Sequence, residues 1–236
     1  MNLENFSPEK VALRKKYPPT YGRRKARSLN EAQQKLMEGF FPEHRVSPDK
    51  NDIEKFVKES SGKKVFLEIG FGGGEHLVHQ AKENPSALLI GCELYINSFV
   101  VALQSAKKDG LENIRFYNND SRYLMEHLPT GSIDRAFILF PDPWPKQRQF
   151  KRRIVNKQTL DMLHRLLKTG GVIRLATDID SYFEQMQEVF ANDKRYKLLT
   201  AEKDFAKIPA DHIETKYQAK AVAEGRVSRF LEYVKQ

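Results

Sequence analysis

Cysteine is nearly absent: Cys92 is the one example in 236 residues. A single thiol excludes an internal disulfide and suits a reducing compartment. Long apolar runs are missing too. No stretch could span a membrane, and the first residues lack the apolar core of a secretion signal. We therefore expect a cytosolic protein with no membrane partner. No internal repeat or low-complexity linker interrupts the chain. No Ser/His/Asp or Cys/His arrangement suggests a nucleophile. His76 and His79 have no further metal-ligand residues for company, so both read as ordinary helix residues and no metal is expected.

Positive charge is plentiful. The length suits one sizeable domain, 40% of residues are hydrophobic, and the formal charge is +9. Such a balance points to an anionic partner. Residues 14–27 hold Arg14, Lys15, Lys16, Arg23, Arg24, Lys25 and Arg27 and no acid, with Tyr17 and Tyr21 interleaved. Pro18-Pro19 prevents helix there. This stretch reads either as a basic arm for phosphates or as a solvated tail. We divide the chain into residues 1–50, the arm with a short helix over 29–41 ended by Pro42, and a main domain over 51–236.

The main domain is organised around residues 65–74, Val-Phe-Leu-Glu-Ile-Gly-Phe-Gly-Gly-Gly. The apolar run 65–69 reads as a parallel strand buried on both faces. A glycine turn follows, then a helix from Glu75. A strand, a glycine turn and a helix N-terminus together make a site for a nucleotide-like ligand. The spacing Glu68-x-Gly70-x-Gly72-x-Gly74 is not G-x-G-x-x-G, because Glu75 stands where a third glycine would be needed. It resembles the first motif of class I methyltransferases that use S-adenosylmethionine.

Further strands are expected over 87–93, 113–118, 135–140, 172–176, 196–200 and 226–234. Helices are expected over 51–59, 96–107, 158–167 (closed by Gly170-Gly171) and 182–190. This alternation specifies an α/β fold with a mainly parallel sheet and helices on both faces. Glu68, Glu93, Asp120, Asp142 and Asp178 each fall at or just after a strand's C-terminal end, the edge where open parallel sheets bind ligands. Glu93 is spaced to take ribose hydroxyls. Asp120, with the backbone beside Ser121, could take an adenine amine. Glu68 could orient the turn or meet an ammonium group. Carboxylates suit a sulfonium cation and suit a dinucleotide's phosphates poorly.

Phe140-Pro141-Asp142-Pro143-Trp144-Pro145-Lys146 fixes Asp142 between prolines, as a substrate-positioning group requires. Trp144 could stack on a base or cap the core. Five of the eight residues 146–153 are basic: Lys146, Arg148, Lys151, Arg152 and Arg153. Beside a cleft, they suit phosphates.

These segments, with Leu-Lys-Thr-Gly-Gly, Ala-Thr-Asp and Thr215-Lys216-Tyr217-Gln218, come in the order of bacterial tRNA (guanine-N7-)-methyltransferases, which the chain resembles over about residues 20–236. The resemblance implies a Rossmann-like class I methyltransferase fold with a seven-stranded sheet, and S-adenosylmethionine as cofactor. Glu68, Gly70, Gly72, Glu93, Asp120, Ser121 and Asp142 would hold that cofactor, and Asp142 would be the catalytic residue. Lys146, Asp178, Thr215, Lys216, Tyr217 and Gln218 would contact the substrate, and Arg148, Lys151, Arg152 and Arg153 the RNA. The partner implied is tRNA, whether the chain works as monomer or homodimer. The chain departs from the family at Gln149-Phe150, where His-Asn is usual, and at Gln218, where Glu is usual. Guanine N7 has a free lone pair, so its methylation needs alignment and a fixed carboxylate more than a strong base.

Overall fold

The computed structural model describes Gly22 and residues 24–236. Most of the basic arm, including Arg23, lies outside the described residues. Helix α1 (Glu31–Lys35) continues through a π-turn at Leu36–Phe40 into a short turn at Phe41–Glu43. Pro42 does not end this helix. It occupies the opening of the last turn, where its missing N–H costs little. Leu36 and Val46 are buried, and Val46 and His44 bond the backbone of Phe116, so this segment packs on the sheet edge.

The rest alternates. Helix α2 (Lys50–Ser60) leads into β1 (Val65–Ile69), α3 (Glu75–Glu83), β2 (Leu88–Cys92) and α4 (Ile96–Lys108). Then come β3 (Ile114–Tyr117), α5 (Ser121–His127), β4 (Ile133–Leu139), a 3₁₀ turn (Gln147–Arg152) and α6 (Lys157–Leu166). The chain finishes with β5 (Leu167–Thr177), α7 (Asp180–Ala191), β6 (Tyr196–Leu198), α8 (Lys216–Ala223) and β7 (Arg229–Lys235). The seven strands form one sheet in the order β3-β2-β1-β4-β5-β7-β6. β1 to β5 are parallel neighbours, and β7 runs antiparallel to β5 and β6. This is the mainly parallel sheet expected from the alternation.

Two elements were not foreseen, α5 and α8. A third departs from expectation: Gly170-Gly171 does not close α6. That helix stops at Leu166, and the glycines lie inside β5 beside its register shift against β4. A Cβ on Gly171 would come within 2.8 Å of the Lys168 carbonyl oxygen, so the close backbone approach there needs glycine.

Alternation along β1 sets up two cores. Val65, Leu67 and Ile69 join one cluster with Leu124, Leu160 and Leu163; Phe66 joins the other with Leu77, Phe99 and Leu103. By the same period Glu68 faces the second side, toward α3. β1 lies between β2 and β4, and the chain direction across the sheet reverses there. The loops after β1 to β4 therefore open a crevice at their C-terminal ends.

Candidate active site

The crevice is a cleft of about 460 Å³, a size that suits a small-molecule ligand. Each wall follows from one strand end. After β1, Gly70, Gly72 and Gly74 all have positive φ. Gly74 is also compelled by packing, since a Cβ there would fall 2.4 Å from that of Ala102. After β2, the Glu93 carboxylate accepts from Gly72 N–H (2.9 Å) and Tyr95 N–H (2.8 Å). It therefore fixes the glycine turn while lining the cleft. Burial pushes Glu93 above the usual glutamate range against these two bonds, and the Asp142 charge adds to that rise.

After β3, Asp120 caps α5 by accepting from Arg122 N–H at 3.1 Å. The Arg122 guanidinium grips the same carboxylate, at 2.6 Å from Nη2. Arg122 lines the cleft and was not singled out from the sequence; the signal was an acid at a helix start with a cation two residues on. Ser121 is buried beside it.

After β4 comes the strained stretch. Phe140 (φ 49°) and Trp144 (φ 44°) lie in the left-handed region, which bulky side chains rarely adopt. They flank Asp142, whose carboxylate meets no hydrogen-bond or ion-pair partner among the described residues and lines the cleft mouth. One side is open to solvent. The protein packed around the others desolvates it and holds it above the usual aspartate range. Trp144 lines the cleft with the Arg152 guanidinium over its ring at 4.9 Å.

Arg153 is 1% exposed and faces inward, not toward RNA. Its Nε donates to the Pro143 carbonyl (2.8 Å), Nη1 to Ser181 O and Gln185 Oε1 (both 2.8 Å), and Nη2 to Ser181 Oγ (3.0 Å). Phe150 and Tyr182 sandwich it at 3.6 and 4.6 Å. It fastens the Asp142 loop to α7. Lys146 and Arg148 are exposed, and Lys151 and Arg152 line the cleft.

Other expected site residues are distributed differently. Glu68 is buried, accepts from His76 Nδ1 at 2.8 Å and is not on the cleft wall. His76 is thus no ordinary helix residue. Asp178 is paired with Arg226 Nε at 2.5 Å, away from the cleft. Thr215 caps α8, and Gln218 is buried against His212 at 2.7 Å. Tyr217 does line the cleft, over Gly72, and Lys216 is exposed. Gly22 also lies on the rim. Behind it, Asn97 accepts from Ala26 N–H at 3.0 Å and donates to Arg27 O at 3.0 Å, holding the described end of the arm on α4.

The charge is therefore divided. Glu93 and Asp120 line the interior, Asp142 stands exposed at the mouth, and Lys151 and Arg152 line the cleft from the basic segment beside it. Such a cleft suits a cation within and a polyanion outside. The carboxylate on Gly72 N–H already occupies the donor that a bound pyrophosphate would need. Among the described residues no group of His, Cys, Asp and Glu could hold a metal ion, and no helix is long and apolar enough to cross a membrane.

Comparison with known proteins identifies the lineage. Residues 62–230 match a family model described as "Putative methyltransferase". A tRNA (guanine-N(7)-)-methyltransferase of Roseobacter denitrificans is 42% identical over 224 residues, covering 92% of this chain and 95% of its own. One from a Jannaschia species is 40% identical, covering 91% and 93%. The crystal structure of the 16S rRNA methyltransferase KamB superposes with a TM-score of 0.57 at 17% identity, covering 81% of this chain and 99% of its own, a likeness of fold. With 42% identity sustained over nearly both whole chains, on this sheet order and this cleft, the chain belongs to the tRNA (guanine-N7-)-methyltransferase family.

Proposed function

We propose that the cleft binds S-adenosylmethionine and that the protein transfers its methyl group to N7 of a guanosine in tRNA. The observation that carries this reading is the charge around the cleft: the Glu93 and Asp120 carboxylates inside, Asp142 at the mouth, and Lys151 and Arg152 of the basic segment beside it. When bound, the cofactor supplies an electrophilic methyl group on a sulfonium. The residues fit it. Glu93 keeps lone pairs for ribose hydroxyls after accepting from Gly72 and Tyr95, since a carboxylate has about four acceptor positions. Asp120 and the α5 N-terminus at Ser121 suit an adenine edge. Glu68 acts through the turn and not by contact.

Asp142 is the proposed catalytic residue. Guanine N7 carries no proton, so no base is required. As N7 is alkylated, positive charge grows on the guanine ring, and a fixed carboxylate able to accept from N1–H and the N2 amine stabilises it. The strained, proline-bound loop with Arg153 behind it sets that carboxylate before the substrate arrives. Tyr217 and Trp144 supply flat faces on the cleft wall for a base. Lys146, Arg148, Lys151 and Arg152 suit tRNA phosphates. Lys216, exposed next to Tyr217, extends the substrate surface, whereas Asp178 is held by Arg226 outside the cleft lining.

The test is nucleoside mass spectrometry of unmodified tRNA incubated with the purified protein and S-adenosylmethionine. We expect 7-methylguanosine to appear in proportion to enzyme. Methylation at an exocyclic amine, or none with tRNA still bound, would refute the reading.

A further inference from the structure

Under the cleft runs a row of four buried or half-buried polar side chains that the proposed chemistry does not use. Glu68 is 4% exposed and His76 1%. The carboxylate accepts at 2.8 Å, so His76 Nδ1 carries the proton. The His212 ring lies 5.5 Å from the His76 ring, tilted by 36°. On its far side His212 Nε2 meets Gln218 Oε1 at 2.7 Å, and Gln218 is 2% exposed. The remaining ring nitrogens, His76 Nε2 and His212 Nδ1, are buried without a hydrogen-bond partner among the described residues. Phe137 and Phe230 pack edge-on against the two rings at 4.7 and 4.9 Å.

Packing alone does not account for this row. Phenylalanine would fill the same volume, as its neighbours do, without the cost of burying polar groups. Buried polar networks instead fix one relative position of the elements they join. The elements joined here are the two sides of the cleft. Glu68 is two residues before Gly70, which opens the glycine turn that carries Gly72. Gln218 is next to Tyr217, whose Cε2 lies 3.1 Å from where a Cβ on Gly72 would stand. The segment before α8 is clamped to α3 and to the sheet: Gln80 Nε2 on α3 donates to Asp211 O at 2.6 Å, and Arg135 on β4 and Arg174 on β5 pair with the Asp211 carboxylate at 2.8 and 2.7 Å.

We propose that His76 and His212 are positioning residues: through Glu68 on one side and Gln218 on the other, they set the glycine turn and helix α8 at the separation that methyl transfer requires. This rests on the reading of the cleft as a methyl-transfer site. Burial holds His212 down to a pKa of about 4, so near neutrality its ring offers one donor and one acceptor.

The row has a nitrogen-specific signature. An asparagine amide can replace a histidine Nδ1, and a glutamine amide an Nε2. His76→Asn keeps a donor for Glu68, and His76→Gln does not. His212→Gln keeps a donor for Gln218, and His212→Asn does not. All four variants are polar, so the paired comparison survives the instability that phenylalanine would bring. The readout is single-turnover methyl transfer at saturating tRNA and cofactor, with melting temperature measured alongside. We expect His76→Asn and His212→Gln to stay within about threefold of wild type and the swapped amides to fall about tenfold or more, because small misplacements of bound reactants are costly. The two swapped amides combined should lose no more than the worse one alone. Equal rates for the two amides at each site, or combined losses that multiply, would overturn the proposal. Wild-type protein in the same assay separates the two levels: if it transfers no methyl group to tRNA, the functional reading falls and this proposal falls with it.

Discussion

Arg153→Ala separates two roles for the basic run. If Arg153 met RNA phosphates, its loss would weaken tRNA binding, reduce the salt dependence of that binding and leave stability alone. The structure requires the opposite. The side chain is 1% exposed and makes four hydrogen bonds, to Pro143 O, Ser181 O, Ser181 Oγ and Gln185 Oε1. Alanine strands those acceptors and opens a void between Phe150 and Tyr182. Each bond to a charged donor is worth about 1.5–3 kcal/mol alone, but such values do not add. The acceptors left behind are neutral, and stranding a buried acceptor costs about 1–3 kcal/mol, so we expect a loss of at least that size. Because Pro143 follows Asp142, the loop should also lose its fixed geometry, and single-turnover transfer should drop by about 10-fold to 100-fold. Arg153→Lys should recover little, since one ammonium cannot span acceptors on two elements. Urea unfolding gives the stability, and filter binding across a salt series gives the slope. Stability within about 0.5 kcal/mol of wild type together with a shallower salt slope would refute the inward role.

Asp142→Asn should lower single-turnover transfer by about 10²–10³-fold, the scale of one preorganised electrostatic group, and leave the melting temperature nearly unchanged. Burial raises the Asp142 carboxyl, and the charged form is the active one, so wild-type rate should decline on acidification while still above the usual aspartate range; a rate flat through that range contradicts this. Glu93→Ala frees Gly72 and Tyr95 N–H, and calorimetry should report cofactor affinity weakened by about 1.5–3 kcal/mol with tRNA affinity intact. Unchanged cofactor affinity would remove Glu93 from the site. Asp211 is held at about 2, burial being outweighed by Arg174 and Arg135. A folded pKa below the unfolded one of about 3.9 means stability that is present above that value and lost as pH falls toward 2. Asp211→Asn should therefore be less stable near neutrality and flatten the acid limb of stability against pH, and an unchanged limb would argue against the clamp.

The strands were legible because buried parallel strands are written as short apolar runs, and 65–69 needed no more than that. The acids at the strand ends were legible for the same reason, falling at or within a few residues of the ends of those runs. Helices α5 and α8 escaped because each is short and presents a thin apolar face. Their caps were visible, though: Asp120 before α5, and Thr215-Lys216-Tyr217-Gln218 with the Thr-x-x-Gln pattern of a capping box. What sequence order withholds is side-chain direction. Glu68 and Glu93 both end strands, yet alternation turns Glu68 under the sheet to His76 while Glu93 turns across the cleft floor. Arg153 ends a run that reads as phosphate-binding, and its burial is decided by Ser181 and Gln185, which lie about 30 residues on and reach it only in the folded chain.

The central claim is that the acceptor atom is N7 of guanine. It is tested most directly by tRNA transcribed with 7-deazaguanosine, which replaces that nitrogen by carbon and leaves the pairing edge intact. With wild-type protein and labelled S-adenosylmethionine, the account predicts transfer to ordinary tRNA and none to the substituted tRNA, which should still compete for binding. Transfer continuing on the substituted tRNA would contradict it.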